Sequence, residues 1–332
     1  IRISNSVFTH CFAGLNGGAI YLENTNALIR DNIFSDSRCG PDGEPCGYGG
    51  AICSDFSSPM IIRNYFSGNS STGVGGAVAV RFQDARVCNN IFTDNYSALG
   101  GAIGYLHYNE YYFTQCNNLI VENTALFFGG GIASLDAGPT FVNNTLSLNS
   151  APYGGAFYVK DSIVPVLYNC ILWNNLGSVG HEVYLWDAYA SADFYYCNID
   201  GGYEDFEGSG GVGYQGNYEN NFDLDPLFAG AGDFRPLGTS PCLDSGIPDT
   251  SGLMLPPNDL DGLPRINALT GKIDMGCYEF FHVGISDQTR LFDNKMLSIY
   301  PNPAVGEVNI EILNRAHGRE LKVFDAKGRE IK

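Results

Sequence analysis

Positive charge is scarce in this sequence. Its 332 residues carry 18 Lys and Arg against 36 Asp and Glu, a formal net charge of −18, which argues against nucleic acid as a partner and against capture of a strongly anionic polymer without a local basic patch. Charged residues of either sign amount to only 16%, so neutral glycans, cations and proteins stay open. No apolar run is long enough to span a membrane, and no signal peptide opens the chain. The 10 cysteines lack metal-ligand spacing, so no metal site is read from them. The chain starts at Ile1, inside a repeat and without Met, and is read as a fragment or processed product whose N-terminal cap is missing.

Glycine is abundant, with 42 residues, beside 20 Tyr and 21 Phe, and the glycines are periodic. Gly-Gly-small-apolar recurs as Gly17-Gly18-Ala19-Ile20, Gly49-Gly50-Ala51-Ile52, Gly75-Gly76-Ala77-Val78, Gly100-Gly101-Ala102-Ile103, Gly129-Gly130-Gly131-Ile132 and Gly154-Gly155-Ala156-Phe157. A decayed copy stands at Gly180-His181-Glu182-Val183, and successive spacings are 32, 26, 25, 29, 25 and 26. A period of this size marks a solenoid. The segments are short, alternating, rich in Val, Ile, Phe and Tyr, and broken by Gly and Asn, as strands are. Two Asn columns keep the same register: Asn32, Asn64, Asn90, Asn118 and Asn144, continued by Cys170, and Asn69, Asn95, Asn123, Asn149 and Asn175. Coils stacked about 4.8 Å apart let a buried Asn amide bond the amides above and below it. The expected fold is all-β, a right-handed parallel β-helix of the pectin-lyase-like kind, with about seven visible coils over residues 1–200. Sequons at Asn69, Asn95 and Asn143 are read as by-products of the columns.

Cys39 and Cys46 bracket the insertion behind the first, longer spacing and suit a loop disulfide. Cys88 with Cys116 and Cys170 with Cys197 stack in adjacent coils, where bridged and free thiols both fit.

After Cys197 the period gives way to the acidic, glycine-rich stretch 201–211, read as an excursion loop. Four phrases follow: Asp225-Pro226-Leu227-Phe228, Ser240-Pro241-Cys242-Leu243-Asp244-Ser245-Gly246, Asp259-Leu260-Asp261-Gly262-Leu263-Pro264-Arg265 and Ile273-Asp274-Met275-Gly276-Cys277-Tyr278-Glu279-Phe280. Together they resemble the C-terminal signature of the choice-of-anchor Q family, secreted bacterial proteins with a right-handed parallel β-helix. The resemblance implies that residues 201–280 close the last coil and shield its strand edges, with Cys242 and Cys277 placed to pin the closure. Asp259, Asp261 and Asp274 beside Arg265 share Asp-x-Asp-Gly with calcium loops. The remaining calcium ligand positions are absent, and an Arg more simply pairs with a carboxylate, so no cofactor is expected.

A linker at 281–294 leads to Tyr300-Pro301-Asn302-Pro303, then to alternating segments at Val308–Ile312 and Leu321–Glu330. These resemble the start of a type A sorting domain of the type IX secretion system of Bacteroidota, here a truncated β-sandwich at 295–332. That resemblance implies handling by the type IX machinery, export across the outer membrane, and release or surface attachment. The repeats over residues 1–200 also resemble those of chlamydial polymorphic outer membrane proteins, a likeness of coil chemistry.

Counted from the first Gly of each phrase, the fourth and sixth residues point inward and the fifth and seventh face solvent, by two-residue alternation. The fifth column holds Tyr21, Cys53, Ala79, Gly104, Ala133, Tyr158 and Tyr184; the seventh holds Glu23, Asp55, Arg81, Leu106, Leu135, Lys160 and Trp186. The eighth runs Asn24, Phe56, Phe82, His107, then Asp136, Asp161 and Asp187. Charges about 5 Å apart repel by about 0.8 kcal/mol in water and about 3 kcal/mol at an effective dielectric of 20, so the carboxylate stack calls for a reason. Turn-forming Asp supplies one; a cation site supplies another. A glycan groove supplies the third, with Tyr158, Tyr184 and Trp186 stacking sugar rings, Arg81 and His107 alongside, and Asp136, Asp161, Asp187 and Lys160 as candidate catalytic groups. The expected function is an exported surface or secreted protein that binds glycan or a partner through its elongated face; the alternative is a polysaccharide lyase or glycoside hydrolase.

Overall fold

The computed structural model describes residues 1–41, 46–83, 85–106, 114–267, 270–280, 297–300, 309–312, 323–324 and 330–331. His107, the 281–294 linker and most of the Tyr-Pro-Asn-Pro phrase lie outside them. Residues 1–281 form one compact unit and 282–332 a second.

The first unit is a parallel β-helix of about eight turns. Each of the first seven coils gives one short strand to each of four sheets, here A to D in chain order. In one coil these are Met60–Ile62, Tyr65–Ser67, Ser70–Ser71 and Val78–Arg81. Sheets A and B hold nine and eight strands, and C and D seven each, all in parallel register one coil apart. Phe8, Phe34, Phe66 and Phe92 stack inside the core with ring centroids 4.7–4.9 Å apart and interplanar angles of 3–7°, and such pairs add about 0.5–1.5 kcal/mol beyond area burial.

The corners explain the sequence columns. Between A and B, the backbone N–H and Nδ2 of each Asn from Asn32 to Asn118 both donate to Oδ1 of the Asn one coil on, at 2.9–3.1 Å. Between B and C, Asn69 to Asn149 do the same at 2.8–3.0 Å. The second Nδ2 hydrogen reaches a strand carbonyl of the coil before, as from Asn64 to Ile29 at 3.0 Å. The residue ahead of each A–B ladder Asn is left-handed, with φ from +52° to +57° at Asp31, Arg63, Asn89, Asn117 and Asn143. That conformation costs roughly 1–2 kcal/mol for a residue with a Cβ, and the amide stack holds it. Asn69, Asn95 and Asn143, the sequon residues, are buried.

Between C and D the Gly pair is a steric requirement. Gly49 has φ +66°, and a Cβ there would overlap the Ile52 carbonyl, while one on Gly50 would overlap the Gly76 carbonyl of the next coil. The chain doubles back so sharply that the residue before the pair crosses the outer face of sheet D, in a parallel ladder Asn16–Tyr48–Val74–Leu99. This corrects the expected solvent exposure of the fifth column. Cys53, Ala79, Ala133 and Tyr158 are buried, and a Cβ on Gly104 would overlap Val74 Cγ1. Alternation alone assumes a bare sheet face, and this one is covered.

Parallel pairing continues past position 200: within the stretch expected to be an excursion Glu207 bridges Tyr184, and beyond it Tyr218 pairs with Phe194 and Phe222 bridges Asn198. The segment expected to close the last coil divides its work. Residues 203–218 cover the end, with Phe206 5.1 Å from Phe194 and 5.2 Å from Tyr214 between ring centroids. Residues 225–280 instead run back along the flank. Phe234 and Tyr278 pack on Leu119 and Val121, Leu253 and Leu255 on Cys88 and Cys116, and Met275 and Cys242 on Ile171. The left-handed corner Asn residues hold this flank: Asn89 donates to the Asp259 carbonyl at 3.0 Å, Asn117 to that of Asn258 at 2.9 Å, and Asn143 to that of Asp274 at 2.7 Å.

Cys88 and Cys116 form a disulfide across adjacent coils, with Cα atoms 4.6 Å apart. Cys39, Cys46, Cys170, Cys197, Cys242 and Cys277 are free thiols, so neither the loop nor the closure is bridged. Cys170 and Cys197 occupy the A–B ladder in place of Asn, and the ladder resumes when Cys197 N–H donates to Asn221 Oδ1 at 2.7 Å. In the second unit, Leu297–Tyr300 pairs antiparallel with Asn309–Ile312, and Val323–Phe324 with Glu330–Ile331.

The B–C ladder ends on a residue that reads as repeat decay. Glu182, 1% exposed, accepts from Asn175 N–H at 3.0 Å and Nδ2 at 2.6 Å, in the place that Ala156 takes one coil earlier. Burial pushes its carboxyl up to about 8 against the two Asn175 hydrogen bonds. The folded state thus holds this proton more tightly than the unfolded chain, so the contribution is full below about pH 4.5 and is lost as pH rises through about 8. Glu182→Gln should flatten the fall in melting temperature between pH 5 and 8; a wild-type slope retained in the variant would contradict the assignment. Mid-ladder, Asn118→Ala strips two buried Asn90 donors of their acceptor, an expected loss of about 3 kcal/mol at 1–3 kcal/mol per group. Urea unfolding measures it, and a loss below about 0.5 kcal/mol would show that the stack carries little.

Candidate functional site

Where the outer face of sheet D meets the crossing residues, the last coils turn aromatic. Phe128 and Tyr153, each immediately before a Gly pair, lie against Tyr158, Tyr184 and Trp186. Phe128 is 4.6 Å from Tyr158, 5.1 Å from Tyr153 and 5.1 Å from Trp186, the last edge-on at 90°; Tyr153 is 5.2 Å from Tyr184. Trp186 is 42% exposed and Tyr153 36%, whereas Tyr158 is 3% exposed. Tyr158 is therefore the floor of the cluster, unable to offer its face to a ligand, and burial pushes its hydroxyl pKa up. Next to the wall, strand Thr124–Phe128 carries an irregularity in register against both neighbours, and its Leu126 and Phe127 are exposed. Sequence columns brought Tyr158, Tyr184 and Trp186 together but missed Phe128 and Tyr153. The signal was present in the residue before each Gly pair, which is aromatic in one early coil, at Tyr48, and then in two successive coils, at Phe128 and Tyr153.

The eighth column is a turn position. Asn24, Phe56, Phe82, Asp136 and Asp161 all have left-handed φ, from +46° to +72°, a conformation Asn and Asp tolerate best. Asp187 works differently: Oδ1 accepts the N–H groups of Tyr189 at 2.8 Å and Ala190 at 3.0 Å, and Oδ2 that of Asp161 at 3.3 Å. Asp136 nevertheless senses the other two carboxylates. Asp136 is held above the usual carboxylate range by burial first, then by Asp161 beside it, with Lys160 opposing and Asp187 adding. Lys160 Nζ stands 3.8 Å from Asp161 Oδ2.

Arg81 is not part of this group. Three register steps, Arg81 to Leu106 to Leu135 to Lys160, separate it from Lys160, about 14 Å at the coil spacing. It is committed to its own surroundings, stacked 4.1 Å over Tyr48 and 3.6 Å from Asp55 Oδ2. The flank carboxylates are likewise engaged. Asp259 accepts from Leu263 and Glu279 N–H, both at 2.7 Å; Asp274 accepts from Asp244 at 2.6 Å and Phe280 at 2.7 Å; Asp261 takes a two-pronged bond from Arg235 at 2.6 and 2.8 Å. Arg265 pairs with buried Glu279 at 3.3 Å.

Residues 298–332 match the family model described as the secretion system C-terminal sorting domain. The protein is secreted or displayed at the cell surface. Its tail implies handling by the type IX secretion machinery. Residues 65–81 match the repeat of the Chlamydia polymorphic membrane protein. No curated protein matches the chain. Among the described residues, no helix is long and apolar enough to cross a membrane.

If the Asp column is built for its turns, Asp136→Asn should keep full stability at pH 7, since Asn24 already fills the column and a repulsive charge is removed. Asp136→Ala should lose roughly 1–2 kcal/mol to the left-handed backbone. Denaturant unfolding of the pair tests this; an Asn variant that falls as far as the Ala variant would show that the charge itself is needed.

Proposed function

We propose that this exported β-helix binds a glycan on the aromatic wall of Tyr153, Tyr184 and Trp186. The cluster of five rings, with Trp186 and Tyr153 left exposed, carries the reading. Rings held by their neighbours lose little freedom on binding, and aromatic side chains suit the apolar faces of sugars. Tyr153 and Trp186 left exposed on three further rings also exceed what packing between neighbouring coils requires. The four phrases at 225–280 further support a choice-of-anchor Q protein, and the sorting tail one from Bacteroidota.

A polysaccharide lyase or glycoside hydrolase using Asp136, Asp161, Asp187 and Lys160 is the second reading, favoured by one observation: the Asp136 carboxyl is raised beside Asp161, as a general acid requires. Against it, Asp187 is occupied by turn N–H groups, and Arg81 lies too far away to clamp an anionic sugar.

Titration calorimetry of the full chain against a panel of neutral polysaccharides tests the proposal. Binding is expected without release of reducing ends, and Trp186→Ala should weaken it at least tenfold, or about 1.4 kcal/mol. Chain cleavage that disappears in Asp161→Asn would establish the enzymatic reading instead.

A further inference from the structure

Past the bend that follows Trp186, a recess of about 440 Å³ is lined by residues that include Tyr189, Ser191, Asp193, Ser209, Gln215 and Asn217. Its volume falls within the range of small-molecule sites, about 300–1,000 Å³. The walls are held in place before any ligand arrives. Asp193 accepts Asn217 N–H and Nδ2, both at 2.9 Å; Gln215 Nε2 donates to the Gly213 carbonyl at 2.7 Å; and Asp187 fixes the bend through Tyr189 and Ala190 N–H. Tyr189 packs on nothing that needs its ring, which is 79% exposed. Ser209, Gln215 and Asn217 are exposed at the recess and Ser191 is half-buried there, so their polar groups are open to a ligand.

We propose that this recess is a second subsite, seating one uncharged sugar residue of the glycan whose neighbouring part stacks on Trp186. The inference rests on the glycan-binding reading and adds to it the class of ligand and a second point of contact. An aromatic face, two amide carbonyls, two hydroxyls and one carboxylate match the alternating apolar face and hydroxyl rim of a neutral sugar. Asp193 in the lining and Asp187 in the adjoining bend repel a uronate or sulfated sugar, in a chain of net charge −18. Trp186 and Tyr189 lie three positions apart, at most about 10 Å of backbone, within reach of one oligosaccharide.

Calorimetry of the full chain with xylo-, manno- and cello-oligosaccharides of two and six units, and with hexagalacturonate, tests the subsite. At least one neutral hexamer is expected to bind tenfold or more tighter than its dimer, with hexagalacturonate much weaker. Tyr189→Ala and Gln215→Ala, both exposed substitutions whose folding circular dichroism checks, should remove the hexamer's advantage while leaving dimer affinity in place. Variants that bind the hexamer like wild type, in a protein where Trp186→Ala loses it, would overturn the subsite and leave the wall intact. Equal binding of hexagalacturonate would overturn the neutral-sugar assignment. Failure of the wild-type protein to bind any neutral oligosaccharide would overturn both the subsite and the glycan reading beneath it.

Discussion

The stacked asparagine amide is the interaction on which the rest of this molecule depends. Within the ladders, an Asn such as Asn64 gives two hydrogens to the oxygen of the next and one to a strand carbonyl of the coil before. An amide left without those partners in an apolar core would cost several kcal/mol, so one coil can sit on another in only one register. That register fixes a left-handed corner residue ahead of every ladder Asn, and it lines up the phenylalanines of the core. Where the side chain departs from Asn, the column is still used: Cys170 and Cys197 fill two rungs and Glu182 ends the second stack.

The Gly pair is the other constraint, and it shapes the outside. Because the chain doubles back at each pair, the residue before it lies across sheet D, and the sheet's outer face becomes partly an interior. Small residues at Ala79, Gly104 and Ala133 are what that crossing demands. In the later coils the crossing residues are Phe128 and Tyr153 and the covered ones Tyr158 and Tyr184, and the same packing yields an aromatic wall. A scaffold rule thus produces the surface best suited to a ligand.

The coil period, both Asn columns and the need for paired glycines were legible in the sequence, because a solenoid repeats its contacts and therefore its letters. The exposure of Cys53 and Tyr158 was misread, since two-residue alternation says nothing about a neighbouring strand end folding over a face. Flank packing by residues 225–280 was equally hidden: those phrases do not repeat, so no register pointed Leu253 and Leu255 at the Cys88–Cys116 bridge rather than across the open end. At the Asp column, turn formation was readable from Asp136-Ala137-Gly138-Pro139. The Asp187 bonds to Tyr189 and Ala190 depend on a bend outside the repeat and were not readable.

If the amide stacks set the register, the slowest-exchanging backbone in the molecule should be the ladder corners, and hydrogen–deuterium exchange of the full chain measures this directly. Peptides spanning Asn64, Asn90, Asn118 and Asn144 are expected to outlast those covering the 186–191 bend and the 225–262 flank. Ladder corners that exchange as early as the flank would contradict the central place given to the asparagine stack.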